Sequence, residues 1–131
     1  MRKKILIVVS VLVAICCILG VLLPIRTAFK KMETGDRIAM VLKAVSDTVG
    51  TIPLSEYNPV TETLKAFPSI PAKGGKILDA WGNPIKISID ESTDSFSVSI
   101  ISAGPDAIMG TKDDYSRQVL IMKPGVIPGK L

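Results

Sequence analysis

The sequence predicts an α+β fold in which one long N-terminal helix lies on a small antiparallel sheet. Three observations predict it. Residues Ile5 to Ile25 carry no charge, apolar residues from Ala28 to Val49 recur at three- and four-residue spacings, and from Ile85 onward the apolar period shortens to two.

The uncharged run is 21 residues long. At about 1.5 Å of rise per residue it is long enough to cross a hydrocarbon core of about 30 Å. Secretory signal peptides have shorter apolar cores, about 7 to 15 residues, and end in a small-x-small cleavage site. Here Leu22-Leu23-Pro24 leads into Ile25-Arg26-Thr27, and bulky Ile15 precedes Cys16 where a lipoprotein signal needs a small residue. The run is therefore expected to remain as a membrane anchor behind a basic flank at residues 1–4. Three basic residues precede it and three follow within Arg26 to Lys31, so the positive-inside count ties and only the α-amino group favours a cytoplasmic N-terminus. That places the rest of the chain on the extracytoplasmic side.

The formal charge of +4 is a property of these flanks. From Met32 onward ten basic residues face twelve acidic ones, a net charge of −2. Nothing there resembles the basic, aromatic-bearing surface of a nucleic-acid-binding domain. Histidine is absent, and both cysteines, Cys16 and Cys17, lie inside the apolar run. Imidazole acid-base chemistry, a Ser-His-Asp triad, thiolate metal sites and disulfides are all excluded for the soluble part, which leaves an enzyme little support. No small-molecule substrate is expected.

The amphipathic pattern extends the helix over residues 26–49, with Pro24 placed to bend it and Gly35 to weaken it by about 1 kcal/mol relative to alanine. Between Gly50 and Lys76 the prolines and glycines predict irregular loop with one helical turn at Thr61 to Phe67. Ile85, Ile87 and Ile89 then alternate with polar residues, as do Phe96, Val98 and Ile100, which predicts a hairpin joined by Asp90 to Asp94. A third strand is expected at Gln118 to Met122. The domain at residues 50–131 would bury one sheet face, and the amphipathic helix is the cover available to it.

Two segments hold more than periodicity. Asp79-Ala80-Trp81-Gly82-Asn83-Pro84 precedes the first strand of the hairpin, and Ser102-Ala103-Gly104-Pro105-Asp106-Ala107-Ile108-Met109-Gly110-Thr111-Lys112-Asp113-Asp114 follows the second. The first is expected to be a corner around a packed indole, braced or capped by Asp79. The second places Asp106, Asp113 and Asp114 in the glycine-bent loop 102–116. Three hard carboxylates suit a hard cation, calcium more readily than magnesium with its stricter octahedral geometry, although the spacing alone equally describes a solvated acidic turn.

In order and spacing the two segments, after an N-terminal helix, resemble the major pseudopilins of type II secretion systems. The likeness is close from Asp79 to Asp114 and general over the helix. It implies a pilin-like fold and a non-enzymatic subunit of the cytoplasmic (inner) membrane, with its C-terminal domain in the periplasm. Its helix would assemble with copies of itself, other pseudopilins and inner-membrane secretion components into a short filament. It also implies calcium in the acidic loop, with Asp106, Asp113 and Asp114 as side-chain ligands and carbonyls from Ser102 to Lys112 completing the shell. The sequence departs from the family in two places. No glycine precedes the apolar run and no glutamate lies within it, and Ala107 stands where the family commonly has glycine. The first departure keeps open an unprocessed, tethered calcium-binding module that does not polymerise.

Overall fold

The structure is a computed structural model that describes residues 2–125. Helix α1 (Arg2–Thr48) is followed by helix α2 (Pro59–Ala66), a short ribbon of β1 (Ala72–Lys73) and β2 (Lys76–Ile77), and a sheet of β3 (Lys86–Glu91), β4 (Ser95–Ser102) and β5 (Tyr115–Met122). The arrangement is α+β, with one long apolar N-terminal helix and small antiparallel sheets. The chain divides into two units, Met1–Met32 and Glu33–Leu131.

In the first unit α1 is apolar and exposed throughout the run Ile5 to Ile25, and it is long and apolar enough to cross a membrane. Pro24 lies inside the helix without ending it, because Pro removes one N–H but leaves the turns on either side intact.

In the second unit α1 is amphipathic. Ile38, Val41 and Val45 face a core completed by Ile70, Ile77, Ile85, Val98 and Ile100. Asp36, Met40, Lys43 and Asp47 stay exposed on the other side, and Lys43 and Asp47 pair at 3.1 Å. The main sheet has order β3-β4-β5, with Ile89 opposite Val98 and Val98 opposite Val119. Its buried face holds Phe96, Val98 and Ile100, while the other carries Ser88, Ser97, Ser99, Ser116 and Gln118. The period-two alternation of the sequence is this division. At the end of α1 the Thr48 hydroxyl lies 2.7 Å from the Tyr57 hydroxyl. Burial pushes the Tyr57 phenol up, the Thr48 hydrogen bond partly reverses this, and the Glu62 charge raises it again.

Three expectations are corrected. Residues 50–76 contain a full two-turn helix and a ribbon, where one helical turn in an irregular loop was expected. Asn58 caps α2, its side chain accepting from the Val60 and Thr61 N–H groups at 3.0 and 3.2 Å, and Pro59 takes the first helical position, where its missing N–H costs nothing. Gly74 and Gly75 both adopt positive φ, the geometry of a two-residue hairpin turn. The connector of the main hairpin is also shorter than Asp90 to Asp94. Strand pairing continues through Glu91, and Ser92 closes the turn by donating its N–H to the Ser95 carbonyl at 2.9 Å. Finally, the third strand begins three residues earlier than Gln118, because Tyr115, Ser116 and Arg117 pair with Ser102, Ile101 and Ile100.

Candidate functional site

Asp79 is buried, 1 % exposed, at the entry to β3. One carboxylate oxygen accepts from the backbone N–H groups of Trp81 and Asn83, each at 2.9 Å, and the other from the Ser102 hydroxyl at 2.6 Å. Its backbone N–H donates to the Asn83 carbonyl at 2.8 Å, which closes the corner. A buried carboxylate is stable only with such partners, and the whole Asp-Ala-Trp-Gly-Asn-Pro turn is wound around this one. Asp79 braces the turn, as the sequence suggests. Trp81 is half-buried and stacks on Tyr115 with ring centroids 6.0 Å apart.

The same corner is fastened to α1. Arg37 donates to the carbonyls of Leu78 and Asp79 at 2.9 and 2.6 Å and pairs with Glu33, and the Thr34 hydroxyl accepts from the Ala80 N–H at 3.1 Å. Thr34 is fully buried. On its other side the corner holds the acidic loop. The Asn83 side-chain amide donates to the Gly104 carbonyl at 3.0 Å, and the Ser102 hydroxyl that donates to Asp79 accepts from the Gly104 N–H at 3.2 Å.

Gly104 is where the loop folds onto itself. Its φ is +69°, and a side-chain carbon there would collide with the backbone carbonyl of Asp113. Only glycine permits both the left-handed backbone and that approach. A 3-10 turn, Gly104–Asp106, follows, and then Ala107 with φ +57°.

The structure brings two of the three acidic candidates together. The Thr111 hydroxyl lies 2.8 Å from an Asp106 oxygen and 3.3 Å from an Asp114 oxygen, so the two carboxylates converge on one donor. The remaining Asp106 oxygen accepts from the Ile108 N–H at 3.0 Å, and the remaining Asp114 oxygen from the Gly110 N–H at 2.6 Å. Hydrogen bonding to the Ile108 N–H, and then to Thr111, holds the Asp106 carboxyl below the usual carboxylate range. The order this carboxylate supports is present above that range and is lost as pH falls through the lowered value. Asp113 is exposed and contributes its backbone carbonyl to the closure over Gly104. Among the described residues no three carboxylates stand close enough to form a ready-made cation cage. The donors that do converge are all oxygens, the chemistry a hard cation requires.

The roles of three participants escaped the sequence reading. Thr111 was only one letter of the loop motif, yet its hydroxyl ties Asp106 to Asp114. Ser102 and Asn83, which fasten the loop to the corner, lie 23 and 21 residues from their respective partners Asp79 and Gly104, too far apart for local pattern to pair them. The Ala107 position did carry a signal, because the expected glycine marks a left-handed residue.

A comparison with known proteins matches this chain to no family model, no curated protein and no solved structure.

Proposed function

We propose that the chain is a membrane-tethered, non-enzymatic subunit of a pseudopilin-like filament whose acidic loop takes calcium. The observation that carries this reading is the pair of hydrogen bonds from Ser102 to Asp79 and from Asn83 to Gly104, which makes one unit of the two segments that bear the resemblance. Asp106, Asp113 and Asp114 are the side-chain ligands in this proposal, with carbonyls from the Ser102 to Lys112 stretch. Bound calcium would supply the positive charge that offsets the loop's carboxylates. The chain's own part is to hold Asp106 and Asp114 facing one point and to keep the loop base closed over Gly104. The membrane is the cytoplasmic (inner) membrane, spanned once with the C-terminal domain in the periplasm, and the partners are copies of the chain, other pseudopilins and inner-membrane secretion components.

Absence of a glycine before Ile5 and of a glutamate in the run favours a second reading, an unprocessed calcium-binding module that stays single in the membrane. Crosslinking in membranes separates the two, since only the first yields a ladder of adducts. Calcium itself is tested by melting the full chain in lipid nanodiscs with calcium and then with chelator. A ligand at about a hundred times its Kd stabilises the native state by about 2.7 kcal/mol, a midpoint rise on the order of 10 °C for a domain of this size. The Asp106→Ala, Asp114→Ala and Asp113→Ala, Asp114→Ala variants are expected to lose that response. An unchanged midpoint in the unmodified chain rejects the calcium site.

A further inference from the structure

Three lysines lie side by side across β1, β2 and the start of β3. Lys73 pairs with Lys76 in the short ribbon. Beyond the ribbon the chain runs antiparallel to the entry of β3. There the Asp79 N–H donates to the Asn83 carbonyl and the Ile85 N–H to the Ile77 carbonyl, each at 2.8 Å. One residue further, that register sets Lys76 against Lys86. All three lysines are exposed, and none forms a salt bridge with a described residue. Like charges in adjacent cross-strand positions repel, so the row is stabilised by an anion placed on it.

Lys76 and Lys86 also line a cavity of about 620 Å³, together with Tyr57, Val60, Pro84, Ile85, Ile87 and Met109. Its volume falls within the range of ligand pockets, about 300 to 1,000 Å³. No lining residue is acidic. A matching occupant is anionic beside the lysines and apolar elsewhere.

The backbone of β3 adds a third requirement. The Ser92 N–H donates to the Ser95 carbonyl, and bonded and non-bonded pairs alternate along an antiparallel ladder. Ser88 and Asp90 therefore direct their backbone groups to β4, and Ile87 directs its own off the free edge. The bond from Ile85 to Ile77 lies on that same edge, as the alternation demands. It is the last of its row, because the ribbon turns away at Gly74 and Gly75. Among the described residues nothing bonds the outward N–H and C=O of Ile87, which lines the cavity. A lipid-like anion would leave these two groups idle, whereas an extended peptide engages them, the lysines and the apolar lining together. The last described residues stand at the other end of the sheet, where the Lys123 N–H meets the Asp94 carbonyl, about 20 Å along the strands from Ile87.

We propose that this groove takes an extended acidic segment of another protein. The segment adds beside β3 where the ribbon leaves off and hydrogen-bonds to the backbone of Ile87. It sets a carboxylate between Lys76 and Lys86 and an apolar side chain in the cavity, with backbone bonds giving affinity and the pocket giving specificity. This goes beyond the calcium reading and uses none of the loop aspartates.

The test presents the full chain in lipid nanodiscs to a displayed library of random heptapeptides. Selected peptides are expected to alternate acidic with apolar residues, and the Lys76→Glu, Lys86→Glu chain is expected to select basic residues in the acidic places. The strongest peptide, labelled and followed by fluorescence anisotropy, should bind the Lys76→Gln, Lys86→Gln chain at least tenfold more weakly. N-methylation of its alternate amides should weaken binding to the unmodified chain by a similar factor on one of the two alternations only. Peptides without a common charge, equal binding to the glutamine chain, or indifference to N-methylation overturns the proposal. Displacement by decanoate together with that indifference would replace it with a site for a lipid-like anion. Selection of peptides only by a chain ending at Gly125 would make residues 126–131 the occupant and overturn it equally. The Lys76→Gln, Lys86→Gln chain keeps all three loop aspartates, and its midpoint response to calcium separates failure of this groove from failure of the metal loop.

Discussion

Ala107 holds φ +57° at the turn out of the Gly104–Asp106 segment, with its N–H donating to the Gly104 carbonyl at 3.3 Å. An L-residue with a Cβ reaches this conformation at a cost of roughly 1 to 2 kcal/mol, which glycine does not incur. Ala107→Gly is accordingly expected to stabilise the folded chain by about 0.5 to 1 kcal/mol after the extra freedom of glycine in the unfolded state is subtracted. A denaturant titration in nanodiscs measures this as a higher midpoint at unchanged slope, and a lower midpoint would mean that the alanine methyl makes a contact worth more than the strain. The position was legible in the sequence as a departure from a motif. Whether its backbone is left-handed was not, since that follows from how the loop turns after the Gly104–Asp106 segment.

At the level of elements, Asp79 joins three of them: the turn before β3, the end of β4 through Ser102, and α1 through the carbonyl that Arg37 binds. Asp79→Ala would leave the Trp81 and Asn83 N–H groups and the Ser102 hydroxyl without an acceptor in a buried place. Each such orphan costs roughly 1 to 3 kcal/mol, so a loss of at least about 3 kcal/mol is expected, seen as a fall of more than 10 °C in the melting midpoint. Asp79→Asn, which keeps one acceptor oxygen, should fall less. A drop of only a few degrees in the alanine variant would show that water replaces the carboxylate. The strands and α1 were readable because their apolar periods of 2 and 3.6 follow directly from which face is buried. Helix α2 was readable only as the single turn at Thr61 to Phe67, because Pro59 both breaks helices and begins them, and only the Asn58 cap sets its start. The Asp79–Ser102 bond was not readable, since its partners meet only after β3 and β4 have paired.

For the whole molecule, the exposed apolar surface from Ile5 to Ile25 is the largest energetic fact. Fully burying each of its leucine, isoleucine and valine side chains is worth roughly 1.5 to 3 kcal/mol, and the described residues offer that helix no protein cover. The full chain is expected to stay with membranes through alkaline carbonate extraction, while a chain lacking residues 2–25 appears in the supernatant. Release of the full chain would rule out a spanning helix. The bonds described above also form a mechanical path. Tension applied along α1 reaches the acidic loop through Thr34 and Arg37, the corner at Asp79, and then Ser102 and Asn83, a chain of short polar links in parallel with the slippery apolar core. Polar links of fixed direction resist shear that aliphatic contacts permit, so a pull on the helix is delivered to the loop as a strain at Gly104.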